Sequence, residues 1–421
     1  VQQPQQPNPA SVAALTETVM TRCGQLAACS EDPACLTRRY LTPPMRIAHN
    51  LLAGWMSEAS LVPRVDNAGN LVGRLAGQHE RRVLLLGSHL DTVPNAGAFD
   101  GVLGVLMGLA VAERLRGEDL PFHLDVVAFS EEEGVRFSKP YLGSAAVAGA
   151  FPSEWLERRD ADGISLRDAI AGFGLDPDAI DRCGYDPRDV VGFIEPHLEQ
   201  GPVLEEQGLP VGVVGGIAGQ SRLRLAFRGR AAHAGTTPMH LRQDALLCAS
   251  RFVSHVRDHA AGVEELRATV GSIHVTPNAP NVVAAEAEVS LDVRHRDDAP
   301  REAAVRDLVA AAHSIAEIEG VEFELLEETS QRAIAMDPGL AGHLQAAVEH
   351  CGGRPLQVLS GAGHDAVMLA HRFPVAMLFL RHPGAVSHHP DERVDAADVA
   401  VGIEVLTQLV LNLAKQQRST V

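Results

Sequence analysis

Two short apolar runs, each giving way to histidine or glutamate, constrain this chain more than any other feature. Arg82–Leu86 reads Arg-Val-Leu-Leu-Leu and leads into Gly87-Ser88-His89-Leu90-Asp91. Leu124–Phe129 reads Leu-Asp-Val-Val-Ala-Phe and leads into Ser130-Glu131-Glu132-Glu133-Gly134. Runs this short and this apolar are typical of parallel strands buried on both faces. In open α/β sheets ligands gather outside the carboxyl ends of the strands, so His89 and the three glutamates are expected to converge there. Asp100-Gly101 then opens an apolar, helix-like stretch over Val102–Leu115.

Three consecutive glutamates at such a place call for a cation. Carboxylates crowded into a dry pocket repel one another and cannot all ionise without compensating charge. A solvated acidic turn would explain a lone Glu-Glu-Glu, and a structural histidine would explain a lone His-x-Asp. The chain offers more than either. His89, Asp100, Glu133, His197 in Glu195-Pro196-His197-Leu198-Glu199-Gln200, and His388 in Ser387-His388-His389-Pro390 make five donors of the kinds that divalent zinc or manganese accepts.

With these strings in view, the sequence resembles the M20 metallopeptidase clan. The likeness is to its amidase branch of N-carbamoyl-L-amino acid hydrolases, β-ureidopropionases and allantoate amidohydrolases, and it runs from about Leu41 to the C-terminus. It is carried by Gly87-Ser88-His89-Leu90-Asp91-Thr92-Val93, Glu132-Glu133-Gly134-Val135-Arg136-Phe137 and His197-Leu198-Glu199-Gln200-Gly201-Pro202. Gly219-Gln220-Ser221-Arg222, Ala231-Ala232-His233-Ala234-Gly235-Thr236-Thr237-Pro238 and Ser360-Gly361-Ala362-Gly363-His364-Asp365-Ala366 complete it.

The resemblance implies a role for each residue. His89, Asp100 and His197 would hold one divalent ion, and Asp100, Glu133 and His388 a second, with Asp100 bridging ions that in such sites lie roughly 3.5–4 Å apart. Zinc or manganese is implied, with cobalt or nickel as alternatives. Glu132 would be the general base, and Asp91 would orient His89. A cis peptide is expected at Asp100-Gly101, because relatives often have one at the bridging aspartate. Asn281 and Arg294 match positions that grip a substrate carboxylate, a task suited to the planar fork of arginine. Gln220 matches a position that contacts a ureido group, and Gly361 would bring backbone close to ligand. By the residues alone Arg294 reads equally well as a strand-end surface arginine, and Asn281 as a turn residue beside Pro280. His233, among small neighbours, would stabilise a developing oxyanion, in many members from the partner subunit.

Composition narrows the class further. With 421 residues the chain exceeds the size at which single cores divide, so two domains are expected. Lys plus Arg number 36 against 54 Asp plus Glu, and the net charge of −18 disfavours nucleic acid and anionic membranes as partners. The sequence also reads as having no apolar run long enough to span a bilayer.

The expected fold is α/β: a metal-bearing catalytic domain with a mostly parallel sheet, interrupted by a ferredoxin-like β-α-β-β-α-β unit that serves as lid and dimerisation domain. Residues 1–212 form the first catalytic part, 213–329 the insertion, and 330–421 the second catalytic part. Within the insertion the pattern predicts a strand over Arg222–Phe227, a helix over Pro238–His259, strands over Thr269–Val275 and Ala285–Asp292, a helix over Pro300–Ile318 and a strand over Val321–Leu326. Gly212, Gly215, Gly216 and Gly219 suggest a hinge. Residues 1–10, rich in Gln and Pro, read as a disordered tail. Cys23, Cys29 and Cys35 recur at equal spacing, which suggests either local pairing or a helix with buried thiols. Such a start, like Ala96 where many relatives carry glycine, departs from the family pattern.

The expected activity is hydrolysis of the ureido C–N bond of an N-carbamoyl-L-amino acid or allantoate by a two-metal amidohydrolase, releasing ammonia and carbon dioxide. The alternative is an aminoacylase or dipeptidase with the same machinery. Leu36-Thr37-Arg38-Arg39-Tyr40-Leu41 leans toward the allantoate group. A homodimer through the inserted domain is expected, and a cytoplasmic location, or a periplasmic or secreted one if a signal was removed.

Overall fold

The computed structural model describes residues 11–79 and 81–419; the tail expected over residues 1–10 lies outside them. The chain divides into two compact units, one formed up to Gly215 and from Met336 onward, the other by Gly216–Ala335.

The first unit is built on a nine-stranded sheet. Its centre is four parallel strands in the order His123–Phe129, Val83–His89, Val190–Leu198, Val375–Leu380. Every residue of Val83–His89 and Val375–Leu380 is buried, as continuous apolar strands covered on both faces must be. The flanks are antiparallel: Leu71–Leu75 and then Val62–Val65 on one side, Val211–Ile217 on the other.

Helix Val102–Arg114, buried from Val102 to Ala112, packs on the strands that carry His89 and His197. Its entry is tight. Gly101 has φ +65°, and a Cβ there would lie 2.5 Å from the His89 ring, so only glycine fits. This turn also corrects an expectation, because Asp100-Gly101 is not cis; among the described residues the cis peptide is Thr276-Pro277. A non-proline cis bond costs about 2.5–4 kcal/mol, and the positive φ of Gly101 makes the bend without it.

The C-terminal helix Ala396–Ser419 corrects another. By length and composition, Ala396–Arg418 is apolar enough to cross a membrane, contrary to the sequence reading. Val399, Ile403, Leu406, Leu409, Val410 and Leu413 are nevertheless buried in the protein core, against helices Val12–Ala27, Val102–Arg114 and Pro338–His350. Cys23 is buried in Val12–Ala27 and Cys29 just beyond it; both are free thiols, as is Cys35.

The second unit runs strand Gly219–Arg228, helix Ala245–Ala261, short strands Arg267–Thr269 and Ile273–Thr276, strand Glu286–His295, helix Asp298–Glu319, strand Glu322–Gln331. The main sheet order is Ile273–Thr276, Glu286–His295, Gly219–Arg228, Glu322–Gln331, antiparallel throughout, which is the β-α-β-β-α-β arrangement. Alternate residues of Glu286–His295 are buried beneath the two helices. Pro238 starts only the turn Met239–Leu241; the helix begins after Asp244, whose carboxylate accepts from the Leu246 and Leu247 amides. An N-cap aspartate outweighs an upstream proline as a start signal.

Candidate active site and metal centre

His89 ends one central strand and His197 sits near the end of its neighbour. Asp100 precedes the glycine turn, Glu132 and Glu133 follow the His123–Phe129 strand, and His388 lies in a half-exposed loop with φ +57°. The fold brings these together. Donor atoms of His89, Asp100 and His197 lie within 4.8 Å of one another, as do those of Asp100, Glu133 and His388, and those of His89, Glu132 and Glu133.

Asp100 is the pivot. Its Oδ1 is 3.3 Å from His197 Nε2 and 4.0 Å from His89 Nε2, while its Oδ2 is 3.3 Å from His388 Nε2. His388 Nε2 also lies 3.7 Å from Glu133 Oε1. One carboxylate thus presents its two oxygens to two separate sets of donors. The ring orientations suit a cation as well. His89 Nδ1 lies 3.0 Å from the Asp91 carbonyl and His197 Nδ1 3.0 Å from the Leu198 carbonyl. A proton held on Nδ1 by a carbonyl leaves the Nε2 lone pair facing Asp100.

Asp91 acts on more than one neighbour. Its main-chain carbonyl orients His89, whereas its carboxylate is 3.9 Å from that ring and accepts from the Glu132 and Glu133 amides at 3.1 and 3.2 Å. The glutamate run separates into distinct environments. Glu131 turns inward, where one carboxylate oxygen accepts from the Arg136 and Phe137 amides, so it holds the loop rather than a ligand.

The electrostatics are those of crowded, buried carboxylates and imidazoles. Burial, then Glu133, Asp365 and Asp91, push the Glu132 carboxyl well above its ordinary range. Burial raises Glu133 to about 7. At His89 burial opposes protonation, yet Asp100, Asp91 and Glu133 prevail and lift it to about 9. Burial takes His197 the other way, to about 4. Asp100 stays below the usual carboxylate range despite burial, because His388 and the two buried imidazoles surround it. Buried carboxylates with imidazole nitrogens turned toward them form a donor set that, once the rings give up their protons, fits divalent cations.

Several supporting residues escape a motif-by-motif reading. Gln200 donates to Asp100 Oδ1 at 3.1 Å and to Ser387 at 2.8 Å, tying the bridging carboxylate to the His388 loop. Glu392 accepts from the Phe99 and Asp100 amides, and Glu195 from Ser88 and the Ala366 amide. The His364 ring stands edge-on to His197 at 4.5 Å. Gln200, Glu195 and His364 lie inside the strings that signal the site, and Glu392 just past one. Around Gly361 there is open space, whereas a Cβ at Gly363 would lie 1.9 Å from the Tyr141 hydroxyl.

In the second unit the four remaining site residues fall into two groups. Gln220 and Arg294 are paired across adjacent strands, and both bond Asp292. His233 and Asn281 meet elsewhere: Val282 pairs with His233, and the Ala234 amide donates to the Asn281 carbonyl at 2.9 Å. Gln220 and Arg294 stand near one end of the main sheet pairing, whereas His233 and Val282 pair in a separate two-stranded sheet, so the two groups rest on different sheets.

Comparison with known proteins places the chain in a family. The model of peptidase family M20/M25/M40 matches residues 85–412. The chain is 40% identical to an N-carbamoyl-L-amino acid amidohydrolase of Geobacillus stearothermophilus over 95% of its own length and 98% of that protein. It is 37% identical to an allantoate amidohydrolase of Bacillus subtilis, covering 90% of this chain and 93% of that one. A crystal structure of an amidase of the hydantoinase/carbamoylase family from Burkholderia multivorans matches with a TM-score of 0.89 at 32% identity, over 95% of this chain and 98% of that one. The chain belongs to peptidase family M20/M25/M40.

Proposed function

We propose that the protein is a two-metal amidohydrolase that cleaves the ureido C–N bond of an N-carbamoyl-L-amino acid or of allantoate. The observation that carries the metal reading is Asp100, whose two oxygens face His89 and His197 on one side and His388 on the other. The substrate class is supported by near-full-length similarity to amidohydrolases of both kinds.

His89, Asp100 and His197 would hold one cation, and Asp100, Glu133 and His388 the other. Bound there, divalent ions supply Lewis acidity to a carbonyl oxygen and make water a stronger acid. Glu132 takes the proton of the attacking water and returns it to the leaving nitrogen. Asp91 fixes the main chain of Glu132 and Glu133 for that transfer. Arg294 and Gln220 bind the substrate carboxylate and ureido group, and His233 stabilises the negative charge developing on the carbonyl oxygen. The released carbamate decays to carbon dioxide and ammonia.

The same reading includes a homodimer through the inserted unit. With its substrate residues gathered in two separate groups, a single insertion would serve two sites. Gln220 and Arg294 would act in their own subunit, and His233 with Asn281 in the partner's. Leu246 and Val253, exposed on helix Ala245–Ala261, and Ile273, exposed on an edge strand, offer apolar surface for such pairing.

The deciding experiment is ammonia release from allantoate, N-carbamoyl-L-amino acids and N-carbamoyl-β-alanine, with N-acetyl amino acids and dipeptides followed by amine release, in manganese or zinc. Turnover of ureido substrates with little on the amides is expected. Preference for N-acetyl substrates or dipeptides would replace this reading with the aminoacylase or dipeptidase alternative.

A further inference from the structure

The open face of the second unit's sheet carries a ladder of arginines and acids whose balance changes along its length. Arg228 meets Glu286 and Glu324, and Arg224 meets Glu288 and Glu327, so each of these arginines faces two carboxylates. In the last row the ratio reverses. Arg222 and Arg294 share one carboxylate, Asp292, and Gln220 joins them.

The geometry at Asp292 is specific. Arg294 donates through Nε to Oδ1 at 2.7 Å and through Nη2 to Oδ2 at 2.9 Å. Gln220 Nε2 reaches Oδ2 at 2.7 Å, and Arg222 Nε the same oxygen at 3.3 Å. The bidentate contact sets the plane of the Arg294 guanidinium, and the shared oxygen sets the amide of Gln220 relative to it. Arg267 stands opposite Arg294 on the next strand, so this row is richer in guanidinium than in carboxylate and suits an anionic ligand.

We infer that Asp292 is a positioning residue of the substrate carboxylate grip, holding Gln220 and Arg294 in one arrangement before substrate arrives. The inference rests on the reading that Arg294 and Gln220 meet substrate. Half-exposed ion pairs of this kind add little to stability, so a purely structural role would leave few traces in its loss. Pre-organisation does leave one. Flexible side chains that must be ordered at the moment of binding cost affinity, while a chemical step that Asp292 does not touch keeps its rate.

The test uses the metal-loaded full chain with an N-carbamoyl amino acid and its carboxamide. D292N is expected to raise KM for the free acid about tenfold with kcat within about twofold of wild type, and to bring acid and amide efficiencies closer together. D292E, which keeps the charge, should recover part of the KM. An unchanged melting temperature shows that the fold is intact. R294A is the companion variant. If R294A loses the preference for the free acid while D292N keeps wild-type KM and preference, the role of Asp292 is overturned. If R294A itself keeps the preference, the grip lies elsewhere and the inference falls with the reading beneath it.

Discussion

In the first unit the Asp91, Asp100, His89 and His197 side chains are each 4% exposed or less, whereas Asp292 and Arg294 in the second are 29% and 27% exposed. Both places gather charge, but by different physics. Where water is excluded, carboxylates are costly to ionise, and each charge weighs heavily on its neighbours. Where water enters, an ion pair is worth little energy but still fixes direction. The first region suits chemistry, since a proton moves between groups whose affinities the surroundings have shifted. The second suits recognition, since selectivity there depends on the shape of a fork.

The sharpest way to break this contrast is at Glu132. Replacing it with glutamine should lower kcat by about 10²–10⁴-fold with bound metal unchanged, because only the proton carrier is lost. Near-normal turnover would show that the base lies elsewhere. Chelation should abolish turnover and lower the melting temperature, since cations bind the folded state alone. H89A and H388A should each reduce metal content by elemental analysis; unchanged stoichiometry in both would remove the two-ion reading.

The wetter region should respond more mildly. R294K keeps the charge but not the fork, and a rise in KM of about 10-fold or more with kcat little changed is expected from steady-state kinetics on a free-acid substrate. The oligomer can be tested by mixing. H233A and E132Q chains, each inactive alone, should regain about a quarter of wild-type activity once subunits exchange, because half the dimers are mixed and each has one complete site. No recovery in demonstrably exchanged mixtures would place His233 in cis.

The last effect is on stability rather than turnover, at a buried imidazole. His49 packs edge-on to Phe173, and burial, then Arg46, lowers its pKa to about 4. The unfolded chain therefore takes up a proton near pH 6.5 that the folded one refuses. Stability is full above that pH and falls as pH drops toward 4, by about 3 kcal/mol in all. H49L should melt above wild type near pH 5, with the gap closing by pH 7. An unchanged gap would mean that His49 is not the titrating group.

Much of the first region was legible because its ligands sit where strands end. A run such as Val83–His89 announces both its burial and the residue that emerges from it. The supporting network was harder to read: Gln200 and Glu392 reach Asp100 from 100 and 292 positions away, and no local spacing encodes that. In the second region the strand pattern gave the topology but not the ends. Asn281 and Arg294 look like neighbours in sequence, yet Asn281 adjoins the small Val282–His233 pairing while Arg294 stands opposite Gln220. Capping chemistry at Asp244 was present in the sequence and was outweighed by the more conspicuous Pro238.

The division of the second unit's site residues into two groups also bears on inheritance. Where the residues around one substrate come from two copies, a gene with a lesion near His233 and another with a lesion near Glu132 are not equivalent losses. A cell expressing both would keep part of its activity, while two lesions of the same kind would leave none. The pattern of which pairs of alleles rescue each other would then divide substitutions by the group they strike, a map of the molecule drawn from growth alone.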